Sequence, residues 1–118
     1  MTVAVLNAML RPMIEPQLPD WVEAHWYVTK EEALELAPLA EIGWFDMYDK
    51  ADMAAIITAA TNLKWLNSIY AGVDGMPLTE LKKRGTKVTN GAGINAITIA
   101  EYVVMGMLNI AKGYRDVV

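Results

Sequence analysis

Apolar residues along this chain fall into two rhythms, short β-rich runs and longer helical stretches, and the two take turns from one end to the other. Thr2 to Leu6 (TVAVL) is a β-branched run that reads as a buried strand. Pro12, Pro16 and Pro19 follow, so any helix before the next strand is short or interrupted. Val22 to Val28 alternates: Val22, Ala24, Trp26 and Val28 face one way, and Glu23, His25 and Tyr27 face the other, solvated way. A half-exposed strand near a sheet edge fits that pattern.

Thr29-Lys30-Glu31-Glu32 is a capping box, and Ala33 to Leu36 continues a helix that Pro38 ends. Glu41 to Met47 (EIGWFDM) suits a third strand, after which Asp49 caps an Ala-rich helix over Lys50 to Thr61. Leu63 to Tyr70 (LKWLNSIY) reads as the fourth strand. Pro77 belongs in the first turn of a helix that runs to Arg84, and Gly85 stops it. Thr86 to Asn90 makes the fifth strand, and Asn95 caps a last helix that continues almost to the terminus.

Strands and helices that alternate in this way predict an α/β fold with a parallel sheet covered on both faces, because parallel neighbours need helical crossovers. The flavodoxin-like order 2-1-3-4-5 is the usual five-strand solution and puts strand 2 at an edge, where its alternation belongs. The length of 118 residues fits one domain, residues 1–118, with no linker, repeat or low-complexity tract.

Composition narrows the chemistry. The chain is 54% apolar with a net charge of −4, so a packed core is expected, and no basic face recommends nucleic acid as a partner. The absence of Cys excludes disulfides and thiolate chemistry, and a single His excludes a His-rich metal site. Ile94 to Ala111 carries one charge, Glu101, across 18 residues, but it is short for a bilayer and holds Asn95, Thr98 and Asn109. It reads as a buried or interface helix rather than a membrane span. The N-terminus lacks the basic-then-apolar pattern of a secretory signal, which favours the cytoplasm.

Gly91-Ala92-Gly93-Ile94-Asn95-Ala96 has the spacing of a dinucleotide-binding loop. That loop works after the first strand of a βαβ unit, with an acidic residue at the end of a later strand to hold the ribose. Here the motif follows the fifth strand and no later strand exists, so a plain strand-to-helix turn is the better reading. Asp46 sits roughly where a response-regulator receiver keeps its phospho-acceptor. However, Asn7-Ala8-Met9 and Gly91-Ala92-Gly93 supply none of the partners that phosphoryl transfer needs. Met9-Leu10-Arg11-Pro12 is likewise no flavin phosphate loop.

The stretch LKWLNSIYAGVDGMPLTELKKRGTKVTNGAGINAITIAEYVVMGML resembles the substrate-binding domain of D-isomer-specific 2-hydroxyacid dehydrogenases. The matching elements are Leu63-x-Trp65, Ala71-Gly72-Val73-Asp74, Arg84-Gly85, Thr89-Asn90-x-x-Gly93 and Ile99-Ala100-Glu101. In that family a flavodoxin-like domain leaves through a long helix, here residues 95–118, toward a separate NAD-binding domain that holds the true dinucleotide loop. The resemblance therefore implies no cofactor-binding residue in this chain, NAD or NADP belonging to the parent protein.

It also implies that the turn Tyr70-Ala71-Gly72-Val73 holds the substrate carboxylate, with Trp44, Phe45 and Met47 as candidates for an apolar wall. The location is physically sensible, since ligands gather beyond the carboxyl ends of parallel strands and a Gly-containing turn can aim successive N–H groups at an anion. Asp74 is expected to brace the turn, and Glu101 to cap or contact a neighbouring domain. The family's catalytic Arg, Glu and His follow its cofactor domain and have no counterpart here. His25 reads as a surface residue, no catalytic or metal-binding residue is expected, and the isolated fragment should be inactive. The alternative is a non-catalytic, self-associating scaffold. Either way, a helix apolar nearly all round from Ile97 to Ala111 predicts a homodimer, with exchange of that helix between chains as one route.

Overall fold

The computed structural model describes all of residues 1–118. Five strands, β1 (Thr2–Asn7), β2 (Val22–Tyr27), β3 (Ile42–Trp44), β4 (Trp65–Asn67) and β5 (Lys87–Thr89), form one sheet in the order β2-β1-β3-β4-β5. Every pairing is parallel, with Leu6 aligned to both Trp26 and Trp44, and Leu66 to both Gly43 and Val88. The expected architecture and strand order are both present.

The ladders are shorter than the β-rich runs that announce them. β3 ends at Trp44 rather than Met47, and β4 at Asn67 rather than Tyr70. The residues beyond each end turn away to make side-chain contacts described below. Helix starts are closer to expectation. Thr29 and Glu32 exchange both bonds of a capping box at the head of α2 (Lys30–Leu36), and Asp49 accepts from two backbone N–H groups at the head of α3 (Lys50–Ala59). Gly85 ends α4 (Leu78–Arg84) in the left-handed conformation, φ 70°, while Pro77 stands just before the helix rather than in its first turn.

Alternation divides the sheet into two unlike faces. Val5, Tyr27 and Leu66 point to one side, where Ala33 of α2, Met53, Ile56 and Ile57 of α3 and Leu81 of α4 complete the buried core. The other side presents Leu6, Ile42, Trp44 and Trp65. It is covered only by residues 8–21, which include the short α1 (Arg11–Ile14) and two 3-10 turns. Pro12, Pro16 and Pro19 prevent a long helix there, and an apolar groove of about 230 Å³ remains between Ile14, Leu18, Trp21 and the strands.

This division corrects the reading of β2. Tyr27, expected on the solvated side, is fully buried in the helix-covered core, whereas Val28 is exposed. Trp26 lies on the thinly covered face, with the Arg11 guanidinium 5.8 Å from its ring. His25 is about one-third exposed and pairs with Glu23 at 2.7 Å.

The last helix is corrected as well. α5 (Ala96–Ala111) has no side-chain cap from Asn95, and it stops before the terminus. Gly113, φ 58°, breaks the helical path before the single turn α6 (Tyr114–Val117). No residue of α5 is buried. The helix stands off the sheet, which gives a radius of gyration of 18.8 Å, against about 13–14 Å for a compact domain of this length. No helix is long and apolar enough to cross a membrane.

Candidate functional site

Two neighbouring strand ends, those of β3 and β4, deliver the residues that converge on one site. Asp46, two positions past β3, is half-buried and accepts three hydrogen bonds. Ser68 Oγ donates at 2.6 Å, Trp44 Nε1 at 2.8 Å and the Ile69 N–H at 2.6 Å. Ser68 Oγ in turn accepts from the Tyr70 N–H at 3.1 Å. A carboxylate answered by three donors needs no cationic partner, and bonds to a charged acceptor are stronger than neutral ones.

The turn is held from its other side too. The Gly91 N–H donates to the Tyr70 carbonyl at 3.0 Å, and Asn90 Nδ2 to the Ala71 carbonyl at 2.8 Å. Gly91 is needed here because a Cβ at that position would lie 1.9 Å from the Ile69 carbonyl oxygen. Gly93, φ 84°, completes the bend into α5. The glycine pair thus packs one loop against another.

Between these two anchors, the N–H groups of Ala71, Gly72 and Val73 donate to no acceptor in the protein. Ala71 and Gly72 are exposed and line a cleft of about 370 Å³, shared with Met47, Tyr48, Met53 and Tyr70. Consecutive unpaired N–H groups on a Gly-containing turn form a concavity suited to a carboxylate or similar anion. Lys50 and Asp74 also border the cleft, paired at 2.6 Å. The hydrogen bond from Lys50, then Asp74's own N–H, hold the Asp74 carboxyl below its ordinary range. Both side chains are largely exposed, so the pair contributes little to stability.

Of the residues expected at the site, Tyr70, Ala71, Gly72 and Met47 are brought together. The Val73 N–H is unpaired, but Val73 does not line the cleft and its half-buried side chain packs on the core. Phe45 is placed elsewhere: it is buried against Tyr27, ring centroids 6.2 Å apart, because the alternation that sends Trp44 to the thin face sends Phe45 under α3. Trp44 faces the apolar groove and touches the site only through its indole N–H. Tyr27 donates to the Trp44 carbonyl at 2.9 Å, and burial pushes its phenol well above the ordinary tyrosine range. Sequence reasoning missed Lys50, Tyr48 and the bracing role of Asp46. The one available signal was a pair of polar residues, Asp46 and Ser68, just past the ends of adjacent apolar strands. No three His, Asp or Glu side chains converge as metal ligands would.

The model of the D-isomer-specific 2-hydroxyacid dehydrogenase catalytic domain matches residues 3–112. The chain belongs to that family. A D-3-phosphoglycerate dehydrogenase from Archaeoglobus fulgidus is 33% identical over 91 residues, 77% of this chain and 17% of that protein. An erythronate-4-phosphate dehydrogenase from Shewanella amazonensis is 36% identical over 62 residues, 52% of this chain and 16% of that protein. The matches to these two dehydrogenases thus span about one-sixth of the relatives' length.

Solved structures agree on the fold. A 2-hydroxyacid dehydrogenase from Ketogulonicigenium vulgare superimposes with a TM-score of 0.70 at 18% identity, covering 99% of this chain and 38% of that one. A D-lactate dehydrogenase from Treponema pallidum gives 0.65 at 23% identity, covering 98% and 38%.

Proposed function

We propose that this chain is the substrate-binding domain of an NAD(P)-dependent D-2-hydroxyacid dehydrogenase, and that it holds the carboxylate of a small 2-oxo or 2-hydroxy acid on the N–H groups of Ala71, Gly72 and Val73. The observation that carries the reading is the run of three unpaired donors just past the carboxyl end of β4, two of which, Ala71 and Gly72, line a cleft. Met47 and Tyr70 serve as the cleft's apolar wall. A cytoplasmic setting goes with this reading.

The domain is inactive alone. Reducing a 2-oxo acid requires a nicotinamide against the carbonyl carbon and an acid at its oxygen, and the single His lies on β2, paired with Glu23. The Gly91–Ala96 turn does not fit a pyrophosphate. The N–H groups of Gly91, Ala92, Ile94 and Ala96 already donate to protein acceptors, where a phosphate cradle needs them free. NAD or NADP binding therefore belongs to another domain of the parent protein.

Self-association through α5 is part of the same proposal. Nine large apolar residues from Ile97 to Ile110 are each more than half exposed. Together they present on the order of 1,000 Å², more than the roughly 800 Å² per partner of a standard interface. The second copy's α5 is the natural occupant, whether the helices pair side by side or exchange.

Titration of the ¹⁵N-labelled chain with glyoxylate or pyruvate tests the site. Saturable millimolar shifts of the Ala71, Gly72 and Val73 amides are expected. No shift at these amides would leave the alternative, a flavodoxin-like scaffold whose activity is self-association. Saturable micromolar quenching of tryptophan by NADH would instead overturn the assignment of the cofactor to a separate domain.

A further inference from the structure

The carboxylate of Asp46 does more than close a loop; it decides which N–H groups of the turn are left for a ligand. Five consecutive donors run from Ile69 to Val73. Asp46 takes the first, Ile69 N–H, directly at 2.6 Å. It orients Ser68 Oγ, also at 2.6 Å, so that this oxygen takes the second, Tyr70 N–H. The next three have no protein acceptor. Trp44 Nε1 fixes the carboxylate itself from the end of β3, at 2.8 Å.

We propose that Asp46 is the positioning residue of the carboxylate site: through Ser68 and Ile69 it sets the phase of the turn, so that Ala71, Gly72 and Val73 are the donors presented. This rests on the carboxylate-site reading above. A bare carboxylate beside an anion site would repel the ligand. Three neutral donors already stabilise its charge, which reduces that repulsion and lets it act as a brace. An Asn at the same position removes the charge and offers one acceptor oxygen where the carboxylate offers two, so the brace weakens.

The test compares the unsubstituted chain with Asp46→Asn, Ser68→Ala and, as a control remote from the turn, Asp52→Asn on α3. Glyoxylate is the probe. Asp46→Asn should speed hydrogen exchange of the Ile69 and Tyr70 amides, shift the Trp44 indole N–H resonance, and weaken glyoxylate binding by about tenfold, the equivalent of one charge-assisted hydrogen bond. Ser68→Ala should release only the Tyr70 amide and weaken binding less. Asp52→Asn should change none of these readouts.

Exchange rates of Ile69 and Tyr70 unchanged in Asp46→Asn would overturn the proposal, as would faster exchange with unaltered affinity. If Asp46→Asn does not fold, Ser68→Ala decides on the Tyr70 amide and on affinity. If the unsubstituted chain takes up no glyoxylate, the carboxylate-site reading fails; the two exchange rates still report whether Asp46 holds the turn.

Discussion

The two faces of the sheet are built from the same strands and end in opposite conditions. On one face, Val5, Tyr27 and Leu66 meet three helices and disappear from solvent. On the other, Ile42, Trp44 and Trp65 border a groove, while the most apolar helix of the chain, α5, stands clear with no buried residue. Hydrophobicity alone therefore does not decide where a segment packs. α2, α3 and α4 lie between strands and are forced back onto the sheet by the crossovers they make. α5 makes no crossover between two strands of this sheet, so nothing in its connection compels it to fold back.

The contrast predicts unequal costs for truncating side chains in the two regions. Leu66→Ala, at the centre of the closed face, should lower unfolding stability by roughly 2–5 kcal/mol in urea titrations. Leu108→Glu on α5 should change the stability of the monomer by no more than about 0.5 kcal/mol. It should also shift the mass measured by light scattering from dimer to monomer. A loss at Leu108 comparable to that at Leu66 would show α5 packed on its own sheet and erase the distinction. A concentration-independent monomer mass in the unsubstituted chain would remove the proposed dimer.

Gly91→Ala probes the junction between the regions, where the β5–α5 turn abuts the ligand turn. With the Ile69 carbonyl 1.9 Å from the added carbon, the loops must separate. About 1–3 kcal/mol of stability should be lost, a typical cost of overpacking, and the Ala71–Val73 amides should move. The smallest effect is electrostatic. Glu41 bridges Lys64 at 2.6 Å and the Val3 N–H at 3.0 Å, and these two bonds, in that order, lower its carboxyl below the ordinary 4.5. A lowered folded-state pKa stabilises above the unfolded value and loses that contribution as pH falls through the folded one. Glu41→Gln should therefore be less stable than the parent at neutral pH, with the difference vanishing in acid.

Much of the fold was legible from local rules. The Thr29 capping box, the Asp49 cap and the Gly85 stop depend on residues within one turn of each other, and all three are present. Asn95 makes no cap because its backbone, φ −102° and ψ 8°, lies outside the extended region a capping residue typically adopts. The Ala71-Gly72-Val73 turn is a proposed site that rests on its resemblance and its position after β4. Phe45 was misplaced because three consecutive residues at a strand end, Trp44, Phe45 and Asp46, diverge to a groove, the core and a loop brace.

By itself the sequence determined what is local and periodic: the alternation of strands with helices, hence a parallel sheet, its order, and most helix boundaries. Hydrogen-bond capping and residue period act over a few positions, so a linear reading can see them. Tertiary structure alone decided which sheet face is closed, that Tyr27 rather than Val28 is buried, and that Asp46 reaches across 22 residues to Ser68. Those outcomes depend on which surfaces meet in space, and the free energy of burial belongs to both partners of a contact rather than to either stretch of chain.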